Sequence, residues 1–455
     1  MTASKAEINY CSITAIVVYL YCIDINMPEL GNSKVHKVMM FGWEFAPYIA
    51  GGLGVVCRSI TESLVEDHGY KVTYVLPRMP AGLSPRLGGI SLKGAGIDFK
   101  YTKTSLSSPY SPDIANPALG NIYAQAGISQ HLLPDQQTSS AAKPIYGNML
   151  EQEVEAYASQ AAEIASHENY DVIHNHDWMT AQAAIIAKED SGKPMVMHIH
   201  ATEIERTLGN PNPFIFEKEL EGMNHADMII AVSQATKDRI VSNYGIAPEK
   251  ITVVYNALDK LESKYGPLAK SIYNDDKVVL FLARLTAMKG ANYLLEAAPK
   301  VLKVMPKTKF LFVGAGELLE TLIEQSIDLG ISHKVSFTGF LPHDQVDRAY
   351  RKADVFVMPS VAEPFGITPL EAIRNGTPVI ISKQSGASEV LQNVLKVDFW
   401  DVDEMANKLI AVLKYGVLAD ELTNNSKHDL EKLSWDKQTE QIMNVYDQLR
   451  VQQAF

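Results

Sequence analysis

The sequence predicts an α/β protein built from two doubly wound, parallel-sheet domains that face a central cleft. Three observations predict it. The chain has 455 residues, and a single hydrophobic core rarely grows past about 250–300. Short apolar runs alternate with helical-period stretches from residue 35 onward, the pattern of strand–helix–strand units in a parallel sheet. The alternation comes as two series, with a linker at 261–274 between them. A hydrophobic content of 46% is ample for packed cores and argues against a disordered chain.

In the first series, strand 35–42 runs into the glycine-rich turn Gly51-Gly52-Leu53-Gly54, and a helix follows to about residue 66. The next strand is 71–76. Residues 81–144, rich in Gly, Ser and Pro, are too long for an ordinary loop and read as short strands with a mobile insertion. Residues 151–166 place Val154, Tyr157, Ala161 and Ile164 on one helical face. Strand 171–174, helix 178–188, strands 194–199 and 227–232, a helix capped by Ser233, and strand 251–255 complete this half. The second series has strands at 277–283, 309–313, 335–337, 355–358 and 378–381, with helices such as 292–304 and 318–329 between them. Ligands bind such sheets beyond the carboxyl ends of the strands, at the switch point of the strand order. The facing strand ends of two domains therefore define where chemistry is to be sought.

Composition excludes several classes. The formal net charge of −12 argues against broad nucleic-acid binding. Three cysteines, Cys11, Cys22 and Cys57, make neither a disulfide framework nor a four-thiolate metal site, and suit a reducing, cytoplasmic setting. The apolar run 11–23 is shorter than the ~20 residues of a spanning helix. It reads as an extra element, a weak membrane contact, or sequence upstream of a true start at Met27. The last two are favoured over a secretory signal.

Several segments at strand ends carry chemistry. The Gly51–Gly54 turn reads equally as a tight turn or as an anion-binding helix entry. Phe312-Val313-Gly314-Ala315-Gly316-Glu317 is half of a dinucleotide fingerprint, and Leu319 stands where its third glycine belongs, which argues against an NAD-dependent dehydrogenase. Arg284 and Lys289, just past a strand, are two cations suited to a diphosphate leaving group. In Glu363-Pro364-Phe365-Gly366-Ile367-Thr368-Pro369-Leu370-Glu371, Gly366 permits an unusual backbone and Pro369 suits a first helical turn. The amides of Gly366, Ile367 and Thr368 then suit phosphate oxygens, Glu371 a ribose diol and Glu363 a sugar. Four of the twelve histidines fall in His174-Asn175-His176-Asp177 and His198-Ile199-His200-Ala201-Thr202-Glu203. They read as a metal site, as a dry cleft with one histidine touching substrate, or as satisfied structural histidines, with metal the least favoured.

The Gly-Gly-Leu-Gly turn, HNHDW, HATE, RLxxxKG and EPFGITPLE, in this order, resemble the retaining glycosyltransferases of the GT-B fold, in the glycogen/starch synthase-like branch (glycosyl transferase group 1). The resemblance runs from about residue 35 to the C-terminus. It implies two Rossmann-like domains: 35–262 on the acceptor side and 263–434 holding the donor. The helix 435–455 then packs back on the first, and 1–34 remains an unassigned extension. It implies transfer of a sugar, glucose in the first instance, from a UDP-, ADP- or GDP-linked donor to a carbohydrate acceptor, with no obligatory metal or other cofactor.

The same resemblance implies that Arg284 and Lys289 grip the diphosphate, Glu371 binds the ribose, and Glu363 and His200 lie at the transferred sugar. Gly366, Ile367 and Thr368 supply backbone donors, Gly51, Gly52 and Gly54 form the closing loop, and Phe340 and Leu341 lie near the nucleobase. Asp177 and Glu203 are acceptor candidates. Two departures stand out. Ile49-Ala50 replaces the Lys-Thr of ADP-glucose-dependent relatives, and His198 stands where many relatives have Thr. Three alternatives stay open: another nucleotide-sugar enzyme such as an epimerase or phosphorylase, a metal-dependent hydrolase using the histidines, and a non-catalytic sugar-nucleotide binder.

Overall fold

The computed structural model describes residues 37–46, 52–79, 84–97, 150–258 and 276–453. The extension 1–34 with its apolar run, Ile49, Ala50, Gly51, most of 81–144 and the linker 261–274 lie outside the described residues.

The first half runs β1 (Lys37–Phe41), α1 (Gly52–Glu66), β2 (Lys71–Leu76), β3 (Arg86–Leu87), β4 (Ile90–Gly94), α2 (Leu150–Ser166), β5 (Val172–His176), α3 (Ala181–Ser191), β6 (Met195–Ile199), α4 (Glu203–Arg206), α5 (Pro213–His225), β7 (Met228–Ala231), α6 (Gln234–Tyr244) and β8 (Ile251–Val253). The second runs β9 (Lys277–Leu282), α7 (Ala291–Val304), β10 (Thr308–Val313), α8 (Leu319–Asp328), β11 (Val335–Phe337), α9 (His343–Lys352), β12 (Val355–Met358), α10 (Thr368–Arg374), β13 (Val379–Ser382), α11 (Ala387–Val390), β14 (Leu395–Val397), α12 (Val402–Lys414), α13 (Gly416–Leu430) and α14 (Trp435–Gln453).

These elements form two sheets, with strand orders β3-β4-β2-β1-β5-β6-β7-β8 and β11-β10-β9-β12-β13-β14. All described strand pairings are parallel except β3 with β4. Each sheet reverses direction beside its first strand, between β1 and β5 and between β9 and β12. Those two switch points are the crevices where doubly wound sheets bind ligands.

The apolar periodicity locates most elements to within a residue or two. The face Val154, Tyr157 and Ala161 of α2 is buried, and Ser233 Oγ accepts the Thr236 N–H at 3.0 Å as the cap of α6. One difference matters for the site. The sequence places the end of β5 at residue 174, because Asn175 and His176 are polar. The strand continues to His176, since Asn175 pairs with Phe41 on one side and His176 with His198 on the other. Ladder pairing on both edges overrides the low strand preference of a His-Asn-His run. His174 and His176, two apart, therefore project from one face. Strands β3 and β4 fall in the stretch where short strands are expected, whereas β14 has too few residues to show a period in the sequence.

The last helix, α14, packs against α1 and β7. Its Ile442, Val445, Tyr446 and Leu449 are buried in one cluster with Val38, Met40, Ile60 and Leu64. The Tyr446 hydroxyl lies 2.5 Å from His174 Nδ1. Among the described residues no helix is long and apolar enough to cross a membrane.

The Tyr446–His174 contact makes a measurable claim. Tyr446→Phe leaves a buried imidazole nitrogen without its partner and should cost about 1–3 kcal/mol. Tyr446→Ala also opens a cavity and should cost ~3–5 kcal/mol. Urea unfolding of the three proteins tests this, and equal midpoints would show that the Tyr446 side chain contributes nothing to stability.

Candidate active site

In the second domain, the turn after β9 and the turn after β12 meet across the switch point. The chain leaves β9 through Ala283 and Arg284, with Leu285 donating its N–H to Ala315 O at 2.9 Å. A single 3₁₀ turn, Ala287–Lys289, then leads to Gly290. The carbonyl of Met288 in that turn accepts the N–H groups of Val361 and Ala362 at 2.8 and 3.3 Å, which stitches it to the segment after β12. The consequence is an ion pair: Lys289 Nζ lies 2.6 Å from Glu363 Oε2, with the two side chains only 14% and 8% exposed. Ser360 Oγ donates to the same oxygen at 3.2 Å. Arg284 sits half-buried at the end of β9.

The segment from Glu363 to Phe365 is braced from the turn after β13. Gly386 N donates to Glu363 O at 3.0 Å, Ala387 N to Phe365 O at 2.8 Å, and Ser385 Oγ to Phe365 O at 2.9 Å. Gly366 follows with φ +95°, and a Cβ there would lie 2.9 Å from Met358 Cε and 3.1 Å from Glu363 Cγ. A left-handed backbone with no room for a side chain requires glycine. The chain then enters α10 with Pro369 in its first turn. Glu371 projects from that turn, and the buried Tyr350 hydroxyl donates to its Oε2 at 2.9 Å. Ile367 and Thr368 are half-buried at this helix entry. Phe340 is 76% exposed just past β11, with Leu341 half-buried beside it.

The first domain contributes β1, β5 and β6. Gly52 opens α1, and a Cβ built on it would lie 3.7 Å from Ile367 Cδ1, so the two glycine-bearing segments face each other across the domains. Gly54 is buried in the first turn of α1. Asp177 is one of two non-glycine residues with positive φ among those described, at 56°. A strained backbone of this kind persists only where its surroundings hold it. Here Asp177 N donates to His198 O at 2.9 Å, and Asp177 Oδ1 accepts the N–H of His200 at 2.7 Å. Glu203 is 3% exposed; its carboxylate pairs with Arg206 at 3.0 Å and accepts the Asn212 N–H at 3.2 Å. Both carboxylates expected at an acceptor are thus turned inward, and both brace the HATE segment. Neither is carried forward as an acceptor contact.

His174, His176, His198 and His200 form a stack. Successive ring centroids lie 4.7 Å (His174–His176), 5.2 Å (His176–His200) and 4.3 Å (His198–His200) apart, with interplanar angles of 18–35°. His176 Nδ1 lies 2.9 Å from His200 Nε2, so one ring donates and the other accepts. Burial holds all four imidazoles neutral. It pushes His174 and His200 down to about 3, and His176 and His198 well below their usual range. His174 Nε2, His176 Nε2 and both nitrogens of His198 are buried without a hydrogen-bond partner. Donor atoms of His174, His176 and His198, and of Cys57 with His176 and His200, lie within 4.8 Å of one another. The ring planes of His174, His176 and His198 are tilted 29–31° from one another. Burial also raises the Cys57 thiol far above its usual range, which keeps it protonated. The residues that sequence reasoning left without a role are His176, Ser360, Tyr350 and Tyr446. His176 was legible only as part of the histidine-rich segment.

Comparison with known proteins places the chain. Residues 269–429 match the family described as Glycosyl transferases group 1, and residues 125–260 match Glycosyltransferase Family 4. An uncharacterized glycosyltransferase of Methanocaldococcus jannaschii is 30% identical over 428 residues, covering 90% of this chain and 97% of the relative. Glycogen synthase of Mycobacterium tuberculosis is 26% identical over 372 residues, 78% of this chain and 80% of the relative. Among solved structures, the Anabaena HepE protein in complex with UDP and glucose superposes with a TM-score of 0.61 at 19% identity, over 90% of this chain and 99% of that one. The two-domain architecture is that of the GT-B fold.

The histidine stack sets a pH dependence. An unfolded histidine takes up a proton near 6.5, whereas the folded stack resists until about 3. The stability these groups contribute is present above pH 6.5 and is lost as pH falls toward 3. Asp177 acts in the opposite sense, since burial raises it from 3.8 to about 7 and its cost grows as pH rises between those values. Four histidines outweigh one aspartate, because a tenfold change in proton affinity is worth about 1.4 kcal/mol at each group. Stability should therefore fall steeply from pH 6.5 to 4.5. His198→Thr should flatten that limb by up to one proton in slope, as measured by urea unfolding at a series of pH values. An unchanged slope would show that His198 is not held neutral.

Proposed function

The chain belongs to the glycosyl transferases of group 1, and from that membership we propose that it moves a sugar, glucose in the first instance, from a nucleotide sugar to a carbohydrate acceptor with retained anomeric configuration. The observation that carries this reading is the partly buried Lys289–Glu363 pair at the β9/β12 switch point, with Arg284 on the same turn. Two cations fixed at strand ends match the charge that develops on a departing diphosphate. Preorganised groups of this kind stabilise a transition state because they need no reorganisation during the reaction. Glu371, oriented by Tyr350, binds the ribose diol. The backbone of Gly366, Ile367 and Thr368 faces donor oxygens. Gly52 and Gly54, across the cleft from Ile367, close on the donor, and Phe340 and Leu341 flank the base. UDP and glucose in HepE support a UDP-linked glucose donor, and the glycogen synthase relative supports a glucan-type acceptor.

The step balances without a protein nucleophile. The acceptor hydroxyl approaches the anomeric carbon from the face that the nucleotide leaves. The bond from that carbon to the phosphate oxygen breaks as the bond to the acceptor oxygen forms. The hydroxyl proton passes to the departing phosphate oxygen, giving a nucleoside diphosphate and a lengthened glycoside. Glu363 keeps Lys289 aimed at the phosphates, and His200, steadied by Asp177 and His176, lies at the sugar.

Nucleotide release over a panel of UDP-, ADP- and GDP-sugars, with and without glucan acceptors, tests the reaction. Release from at least one glucose donor is expected, and product NMR should show the anomeric configuration of the donor. No release from any donor would remove the function and leave the fold. Arg284→Ala and Lys289→Ala should each lower kcat about 10²–10³-fold while circular dichroism stays native. Turnover at the parent rate in either variant would dismiss the assignment of that cation.

A further inference from the structure

The two domains touch through a carboxylate that no part of the proposed chemistry uses. Glu389 lies on α11 in the second domain. Its Oε2 accepts the N–H of Gln234 and its Oε1 the N–H of Ala235, each at 2.8 Å, across the boundary in the first domain. Gln234 and Ala235 are the first two residues of α6, an eleven-residue helix. The first N–H groups of a helix have no intrahelical partner, and the positive end of its dipole faces outward. Ser233, the cap of α6, supplies its own oxygen to Thr236. Glu389 therefore completes from the other domain a cap that the helix only half provides for itself. At the end of the first half, burial and the neighbouring Glu389 carboxylate raise the Tyr255 phenol to about 12.

The approach is close. A Cβ on Gly386 would lie 2.6 Å from Ser233 Cβ and 2.1 Å from Pro364 O, so only glycine lets α6 and the EPFG segment meet there. The backbone that carries Glu389 is also the brace of the donor segment. Gly386 N and Ala387 N hold the carbonyls of Glu363 and Phe365, and the Phe365 ring packs at 6.2 Å from Tyr255. One short stretch, 385–389, thus grips the first domain with a side chain and the segment of Glu363 with its main chain.

We propose that Glu389 is a positioning residue: a carboxylate clasp between the domains that couples their closure to the placement of Glu363 and Gly366. This rests on the reading of the cleft as the nucleotide-sugar site. The clasp is suited to open and close. The partners of Glu389 itself are backbone N–H groups, and water can replace each of them when the domains separate. A donor that binds both domains favours the state in which the clasp is made, and by linkage the clasp raises the affinity for that donor.

The test uses the full chain, with Glu389→Ala and Glu389→Gln compared with the parent by steady-state kinetics and small-angle X-ray scattering, nucleotide-free and with UDP. Glu389→Ala should lower kcat/KM for the donor about 10–100-fold, mostly through KM, and should enlarge the radius of gyration of the nucleotide-free protein. Its melting temperature should stay within a few degrees of the parent, because the contact is polar and peripheral to both cores. Glu389→Gln keeps one acceptor oxygen and should recover part of both losses. Parent-like kcat/KM together with a parent-like radius of gyration in Glu389→Ala would overturn the proposal. So would a loss that Glu389→Gln does not relieve at all. If the parent releases no nucleotide from any donor, the transferase reading falls. The nucleotide-free scattering then decides the clasp by itself, an enlarged radius supporting it and an unchanged one removing it.

Discussion

The ion pair between Lys289 and Glu363 is the interaction on which the second domain's site depends. It joins two turns that leave neighbouring strands on either side of a switch point. Without it, a lysine and a glutamate would each be partly buried and unmatched, an arrangement that costs more than leaving both in water. With it, the Met288 carbonyl, Ser360 and the 384–387 brace fall into register. The segment that follows must then take the left-handed turn at Gly366 and start a helix that presents Glu371. Lys289 and Glu363 are thereby held in one fixed geometry.

The first domain solves a different problem. Its cleft side carries four stacked, neutral imidazoles, several of their nitrogens orphaned. Such atoms cost about 1–3 kcal/mol each, so this domain is less stable than its apolar content alone implies. The strained Asp177 adds to that cost and returns a fixed position for the His200 backbone. The cost is concentrated at the ends of β5 and β6. The last helix offsets part of it by bringing Tyr446 to His174 and covering the flank of α1.

Much of the architecture was legible because its signals are local. Strand β2 is read at its observed bounds from a six-residue run of β-formers, and the N-terminus of α6 from Ser233. Arg284, Lys289, Glu363 and Glu371 stand out in the sequence because each belongs to a short motif at a strand end. Which groups the carboxylates of Asp177 and Glu203 meet was not legible, for a physical reason. A carboxylate beside a cleft motif looks the same in sequence whether it points to solvent or to a buried arginine. Which one holds depends on Arg206, on the Asn212 N–H and on the turn geometry around them.

The sequence by itself determined two doubly wound domains, their order, and the charged and glycine-bearing turns at the ends of their strands. Periodicity, capping and turn preference act over a few residues, and these features need no more. Only the tertiary structure decided which groups meet. Tyr446 reaches His174 over 272 residues of chain, and Glu389 reaches Gln234 over 155. It also decided that β5 runs on through His176 and that the imidazoles stack. Partners so far apart in sequence are selected by how sheets and helices pack, and no local pattern encodes that choice.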